Sequence, residues 1–211
     1  MYASSASLSA AWGTLLARVS AASRVDLEVI EHAYPAPLDD LWARDDMGCV
    51  FMCGYPWALR SSRPRLLAVP VPSPPRYGGR PVYFTDFVVR ADSRFRILED
   101  TFGARLAYSI ESSHSGYNAP RHHLLAYRTA VRVIATTEAA PMPPLVASPM
   151  IDADMCARLK VALLDAHRDP GLVSTLESLL LTRFLEATPS RYEVFLERQR
   201  AAESAGYTVL A

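Results

Sequence analysis

The sequence has little cysteine, no net charge and no long hydrophobic run. Lys plus Arg and Asp plus Glu number 22 each, so no bulk attraction toward nucleic acid or an anionic membrane is expected. No stretch approaches the roughly 18 apolar residues of a membrane-spanning helix. The first residues also lack the basic and apolar regions of a signal peptide. The chain is therefore predicted to be cytoplasmic if it is complete as given.

The three cysteines, Cys49, Cys53 and Cys156, cannot all pair within one chain. Cys49 and Cys53 belong to an apolar run that is typical of a buried strand, and no His/Cys cluster with zinc spacing lies nearby. Small buried hydrophobic side chains are therefore predicted, and neither a metal site nor a cofactor is expected.

Motifs of common enzymes are also missing. The sequence has no Gly-x-Ser-x-Gly elbow, no phosphate loop and no dinucleotide fingerprint. Its paired carboxylates, 39–40, 45–46 and 99–100, stand at predicted element boundaries, where helix capping and solvation explain them. No catalytic residue is assigned, and a non-enzymatic binding protein is predicted.

Short apolar segments typical of strands alternate with helical patterns along the chain. With 50% hydrophobic and 21% charged residues, the sequence is typical of a folded globular protein. This alternation predicts an α/β fold with a largely parallel sheet. The predicted strands are 25–30, 49–53, 66–69, 82–90, 105–110 and 131–136.

The polar chemistry concentrates in residues Ser112–Gly116, which we call the serine loop. It lies between the predicted strand 105–110 and a helix predicted from about residue 118 to 127. Free backbone amides and the positive end of the helix dipole favour an anion at such a place, and the hydroxyls of Ser112, Ser113 and Ser115 add donors. Gly116 would let the backbone approach a ligand closely. The alternative is an ordinary helix cap with additional serines.

Histidines lie in and after the serine loop. His114 is a further candidate donor to the ligand. His122 and His123 follow on the predicted helix, next to Arg121. A solvated helix face is expected for them, and a contribution to anion binding is the alternative.

Several stretches resemble the PhnD-like substrate-binding proteins, which are phosphate and phosphonate receptors of ABC importers. The segment Ser112-Ser-His-Ser-Gly-Tyr-Asn-Ala-Pro120 is one of three that occur in order with the family's spacing. The other two are 83–93 and 98–103, and shorter pieces at 40–42, 53–56 and 132–136 are also similar. The resemblance runs over nearly the whole chain.

The resemblance implies a two-lobed, periplasmic-binding-protein-like (type II) α/β fold with mixed, mostly parallel sheets. Lobe I would comprise 1–85 and 131–211, and lobe II 86–130. A ligand would occupy the cleft between the lobes, and the matched positions implied to bind it are Ser112, Ser113, Ser115 and Gly116 of the serine loop, His114 within it, and Tyr55, Tyr83 and Thr85 facing the cleft.

The sequence departs from this family after Thr129. Family members continue there for several tens of residues that complete the second lobe, whereas this chain passes directly to Val131. An abbreviated second lobe is therefore predicted. A natural short variant, a deletion, and residues missing from this chain all remain open as explanations.

These features predict a substrate-binding component of an ABC importer that captures a phosphate- or phosphonate-like oxyanion. The expected partners are a small anion and, as the resemblance implies, an ABC permease, with no nucleic acid, no membrane span and a monomeric state. Its location would be periplasmic if a leader is missing from this chain. Two alternatives remain: an enzyme on the same bilobal scaffold, for which Cys53 would be tested first, and a truncated relative that binds nothing.

Overall fold

The computed structural model describes residues 5–30, 32, 37–44, 46–125 and 137–206. Within this part of the chain the helices are α1 (Ala6–Ser23), α2 (Leu38–Trp42), α3 (Gly54–Leu59), α4 (Ala119–Leu124), α5 (Ala153–Asp165), α6 (Val173–Ser178) and α7 (Glu193–Ser204). The strands are β1 (Cys49–Phe51), β2 (Arg65–Pro72), β3 (Val82–Tyr83), β4 (Ala140–Pro141), β5 (Leu145–Ala147) and β6 (Leu181–Leu185). A π-helical turn, His114–Asn118, precedes α4 directly.

The chain divides into two compact units, each built from segments that are distant in sequence. Unit 1 comprises Met1–Met52, Ser61–Val82 and Met142–Pro189, and unit 2 comprises Cys53–Arg60, Tyr83–Pro141 and Ser190–Ala211. Unit 2 thus joins three segments, whereas a single stretch, 86–130, was predicted for the second lobe. The predicted boundary at residues 130 and 131 lies outside the described residues.

Unit 1 is built on a four-stranded sheet in the order β1-β5-β2-β6. Its three strand pairs are all antiparallel, so the prediction of mostly parallel sheets is wrong for this sheet. Strands and helices do alternate along the chain, but no helix connects one strand to a parallel neighbour here. Strands β1 and β2 run in the same direction, yet β5 lies between them and pairs with both.

Helix α1 packs on α5 and α6, which in turn contact strands β2 and β6 of this sheet. It begins at Ser5, whose hydroxyl accepts a hydrogen bond from Leu8 N at 3.3 Å, as a helix cap does. Its buried residues Leu15 and Val19 join the apolar core of unit 1. Removal of these apolar side chains from water stabilises unit 1.

The cysteines of unit 1 take part in this core as the sequence predicted. Cys156 is buried, and the partly buried Cys49 packs against the same cluster. Burial raises the pKa of the Cys49 thiol to about 11. A thiol that stays protonated at neutral pH is a poor nucleophile and metal ligand, which fits a packing role.

Several predicted strands are absent from the described residues. Residues 25–30 and 105–110 are irregular, and the strand predicted at 82–90 is only the two-residue β3. Of their apolar side chains, Val25 joins the core of unit 1, whereas Ile30, Leu106 and Ile110 are exposed. Alternating hydrophobicity thus gave the wrong structure where no partner strand is available. The predicted strand 131–136 and the end of the helix predicted to reach residue 127 lie outside the described residues.

Unit 2 is held together by close packing of α3 on α7. A side chain at Gly54, the first residue of α3, would have its Cβ 2.1 Å from Phe195 Cε2 and 2.7 Å from Tyr192 Cδ1. Only glycine allows this approach. The ring of Trp57 lies 5.3 Å from that of Tyr192, which completes an aromatic core beside the π-helical turn.

Candidate functional site

The serine loop leads into one continuous helical segment, residues 114–124. Ser113 caps it: its backbone is extended, and its hydroxyl oxygen accepts a hydrogen bond from Gly116 N at 3.0 Å. Asn118 N donates to the Ser113 carbonyl at 3.1 Å, which defines the wide π turn. Single π turns are frequent at functional sites because they displace the local backbone from the regular helical path.

This geometry leaves hydrogen-bond donors at the positive end of the helix. The amides of His114 and Ser115 begin the helix, so no carbonyl lies one turn earlier within it to accept from them. The Ser113 hydroxyl keeps its hydrogen, since its oxygen acts as the acceptor for Gly116. The half-buried Ser115 adds a second hydroxyl. Such a set of donors can coordinate the oxygens of a small anion.

Thr85 anchors the serine loop from the segment after β3. Its hydroxyl donates to the carbonyl oxygen of Ser115 at 3.0 Å. Its amide donates to Thr137 Oγ1 at 3.1 Å, and Thr137 N donates back to the Thr85 carbonyl at 3.3 Å. The hydrogen of the Thr85 hydroxyl is thus used on the loop, so this residue acts here as a support for the site.

Gly116 is required by packing. A Cβ at this position would lie 2.0 Å from Ser109 Oγ and 3.0 Å from Ser109 Cβ. The chain before the loop therefore lies directly against Gly116. The sequence predicted that a ligand approaches the backbone of Gly116 closely. In this structure Ser109 makes that approach.

His114 lies at the centre of the site and is fully buried. Its ring contacts Phe195 edge-on at a centroid distance of 4.2 Å, and the rings of Tyr83 and Tyr55 lie 6.0 Å and 6.3 Å away. Burial, reinforced by the charge of Arg198, lowers the pKa of His114 well below its usual value. The imidazole is therefore neutral at physiological pH.

Two tyrosines predicted for the site are held against this ring. Tyr55, on α3, is buried, and burial raises the pKa of its phenol. Tyr83, on β3, is half-buried and meets His114 at an interplanar angle of 88°. Both present an apolar ring with one polar atom, as residues that line ligand sites commonly do.

The helix after the loop is more buried than predicted. Arg121 is 3% exposed and lies over the ring of Tyr117, with its guanidinium carbon 5.0 Å from the centroid. His122 and His123 are partly buried, and burial lowers the pKa of both. The solvated face predicted for His122 and His123 is therefore only partly exposed, because α4 packs on α7.

All eight residues predicted for the site belong to unit 2. The structure brings Ser113, His114, Ser115, Gly116, Thr85, Tyr55 and Tyr83 together through the contacts above. Ser112 precedes the cap residue and is half-buried.

Sequence reasoning missed Arg198, Asn118 and Ser109. Arg198 has one recognisable signal: it lies three residues after Phe195 and four before Ala202, on the buried face of α7.

Among the described residues, no group of three or more His, Cys, Asp and Glu side chains could hold a metal ion. In the same part of the chain, no helix is both long and apolar enough to cross a membrane.

Comparison with known proteins points to one family. The family model described as "ABC transporter, phosphonate, periplasmic substrate-binding protein" matches residues 1–130 and 126–192. The two matched segments meet where the sequence analysis places the missing stretch. No curated protein matches the sequence.

Two solved structures share the fold. One is a binding-protein component of an ABC phosphonate transporter from Pseudomonas aeruginosa, with a TM-score of 0.74 and 14% identity, covering 99% of this chain and 87% of that one. The other is a Xanthomonas citri protein bound to ATP, with a TM-score of 0.68 and 20% identity, covering 97% of this chain and 96% of that one. A chain of nearly this length therefore carries the same fold in Xanthomonas citri.

Proposed function

Because the chain belongs to the family of periplasmic substrate-binding proteins of ABC phosphonate transporters, we propose that it captures a small phosphonate- or phosphate-like oxyanion at the serine loop. The proposed binding groups are the amides that begin the helix and the hydroxyls of Ser113 and Ser115. Ser112 and the two tyrosines, Tyr55 and Tyr83, would complete the wall of the site.

One observation carries this proposal: Ser113 and Ser115 stand at the start of a helix that is braced from several sides. Thr85 holds the Ser115 carbonyl, Ser109 fills the space beside Gly116, and the neighbouring His114 is buried among aromatic rings. Donors held in place before the ligand arrives lose little entropy on binding. A helix entrance that serves only as a cap would need none of this bracing.

The names of the two structural relatives support the same chemistry. One is a component of a phosphonate transporter, and the other was solved with ATP. Both ligands carry phosphorus-bound oxygens, which amides and hydroxyls recognise by hydrogen bonds.

We further propose that the protein binds without chemical turnover. Activation of a serine hydroxyl requires a base within hydrogen-bond reach. The nearest imidazole in sequence, that of His114, has its ring nitrogens 3.2 Å from Asn118 Nδ2 and 3.3 Å from Arg198 Nη1 instead. No observation favours an enzyme or a relative without ligand.

The proposed partner is an ABC permease, and the proposed location is the periplasm. Both follow from the family, whose members deliver a captured solute to a membrane transporter. The formal charge of zero gives the protein no bulk attraction to either nucleic acid or lipid.

Calorimetric titration with methylphosphonate and with inorganic phosphate tests the proposal. We expect saturable binding of one anion per chain, and mass spectrometry of the recovered anion should show it unchanged. Absence of heat and of any thermal stabilisation with both anions would contradict capture, since a ligand that binds only the folded state must stabilise it. A new product would instead indicate an enzyme.

A further inference from the structure

A buried chain of polar side chains links the serine loop to α7. The His114 ring has Asn118 Nδ2 at 3.2 Å from Nδ1 and Arg198 Nη1 at 3.3 Å from Nε2. Arg198 is only 6% exposed, and its Nη2 donates to Glu138 Oε2 at 2.9 Å and to the Ala139 carbonyl at 3.0 Å. One arginine of α7 thus contacts both the loop and the segment around residue 138.

The two neighbours of the His114 ring cannot both donate to it. A neutral imidazole has one N–H donor and one acceptor nitrogen, whereas a guanidinium has donors only. A protonated ring is disfavoured, because the ring is buried and its charge would lie beside that of Arg198. One ring nitrogen must therefore donate, and Arg198 cannot accept from it.

Asn118 resolves this conflict, because a carboxamide carries an acceptor as well as a donor. Its Oδ1 is buried and has no hydrogen-bond partner among the described residues. If the amide turns, Oδ1 accepts from His114 Nδ1–H, and His114 Nε2 accepts from Arg198. The turn replaces the bond from Asn118 Nδ2 to the Phe195 carbonyl, which is long at 3.3 Å, with two acceptor oxygens that face each other. In the alternative, His114 Nε2–H would face the buried guanidinium of Arg198, so two donors would oppose each other. That arrangement would cost more free energy, because the guanidinium carries a full charge.

We propose that Arg198 is a positioning residue of the anion site, which fixes His114 as the neutral Nδ1–H tautomer and thereby holds the serine loop in place. Arg198 acts through His114 and does not touch the ligand. His114, with both ring nitrogens engaged inside the protein, serves as a buried strut and not as the ligand donor predicted from sequence. The effect on affinity rests on the proposed function, whereas the tautomer does not.

Nitrogen-15 NMR of the unliganded protein at neutral pH tests the tautomer. We expect His114 Nδ1 to carry the proton and Nε2 to show the shift of an unprotonated ring nitrogen. Arg198→Met should change the ring's tautomer, while Glu138→Gln, which removes only the negative charge of the outer partner of Arg198, should leave it as in the wild type. The matched control is Arg200→Met, on the exposed side of the same helix.

Affinity for methylphosphonate provides the second readout. Arg198→Met should weaken binding by roughly tenfold, because the loop loses a buried hydrogen bond to a charged group. Arg198→Lys should recover part of the loss, since an ammonium also donates, and Arg200→Met should bind like the wild type.

A wild-type ring protonated at Nε2 overturns the proposal, as does an Arg198→Met protein with unchanged ring shifts and unchanged affinity. If Arg198→Met does not fold, the tautomer of the wild-type ring and the affinity of Arg198→Lys test the proposal instead. If the wild type binds neither methylphosphonate nor phosphate, the proposed function fails, and the ring spectra still decide the role of Arg198.

Discussion

Thr85 donates its hydroxyl hydrogen to the carbonyl oxygen of Ser115 at 3.0 Å. The bond ties the segment after β3 to the middle of the serine loop. Replacing Thr85 with valine keeps the shape of the side chain and removes the donor. We expect the free energy of unfolding to fall by about 1 kcal/mol. Affinity for phosphate should fall as well, because Ser115 is no longer held.

The hydroxyl, rather than the methyl group, is responsible in this account, so Thr85→Ser is the matched control. Chemical denaturation and calorimetry should give the serine variant values near the wild type. A loss in the serine variant with none in the valine variant would show that packing of the methyl group, and not the hydrogen bond, supports the loop.

Ser113 is expected to matter for binding more than for folding. In Ser113→Ala the cap of the helix and one donor to a charged ligand are both lost. Loss of a hydrogen bond to a charged group should weaken anion binding by about 1.5–3 kcal/mol, measured by calorimetry. Ser5→Ala removes the same kind of cap from α1 in unit 1 and should cost stability while leaving affinity unchanged. Unchanged affinity in Ser113→Ala would remove Ser113 from the site.

Gly116→Ala should destabilise the fold, because the added Cβ would lie 2.0 Å from Ser109 Oγ. Overpacking of this kind costs about 1–3 kcal/mol. Thermal unfolding should show the loss, and adding Ser109→Gly should recover part of it by removing the clashing atoms. The control is Gly13→Ala in α1, where no atom lies within 4 Å and a gain of about 0.5–1 kcal/mol is expected. A loss at residue 116 that Ser109→Gly does not relieve would refute this packing argument.

The buried imidazole of His114 predicts a dependence of stability on pH. Its pKa in the folded protein lies well below the usual 6.5, so below about pH 6.5 the unfolded chain binds more protons than the folded one. At higher pH the imidazole is neutral in both states, so its protonation does not change the free energy of unfolding. As pH falls through 6.5 the free energy decreases, by at most about 1.4 kcal/mol per pH unit, until the folded-state pKa is reached.

His122 and His123 have lowered pKa values too and act in the same direction. The contribution of His114 is therefore isolated by comparing the wild type with His114→Gln in urea unfolding between pH 5 and 8. We expect a shallower decline in the variant. Parallel curves for the two proteins would show that His114 titrates normally in the folded state.

The helix entrance of the candidate site could be predicted from sequence because its signals are local. Three serines, Gly116 and Pro120 mark a helix entrance, and the structure has a helix beginning at His114. The environment of that entrance depends on residues that are distant in sequence. Arg198 meets His114 across 84 positions, and Thr85 meets Ser115 across 30. The residue pattern of the serine loop does not predict such contacts.

Strand prediction failed for a different reason. Residues 105–110 alternate between apolar and polar side chains, yet Leu106 and Ile110 are exposed and no strand forms. An alternating pattern shows that one face could be buried, whereas pairing depends on whether another strand is available. The antiparallel sheet of unit 1 was missed for a related reason. Strand β5, which lies between β1 and β2, follows β2 by some seventy residues and β1 by more than ninety.

The most direct test is an amide NMR titration of the wild-type protein with methylphosphonate. The account predicts that the largest shift changes fall on the amides of residues 113–116 and saturate with added anion. Saturating changes confined to unit 1, or none at any concentration, would contradict it.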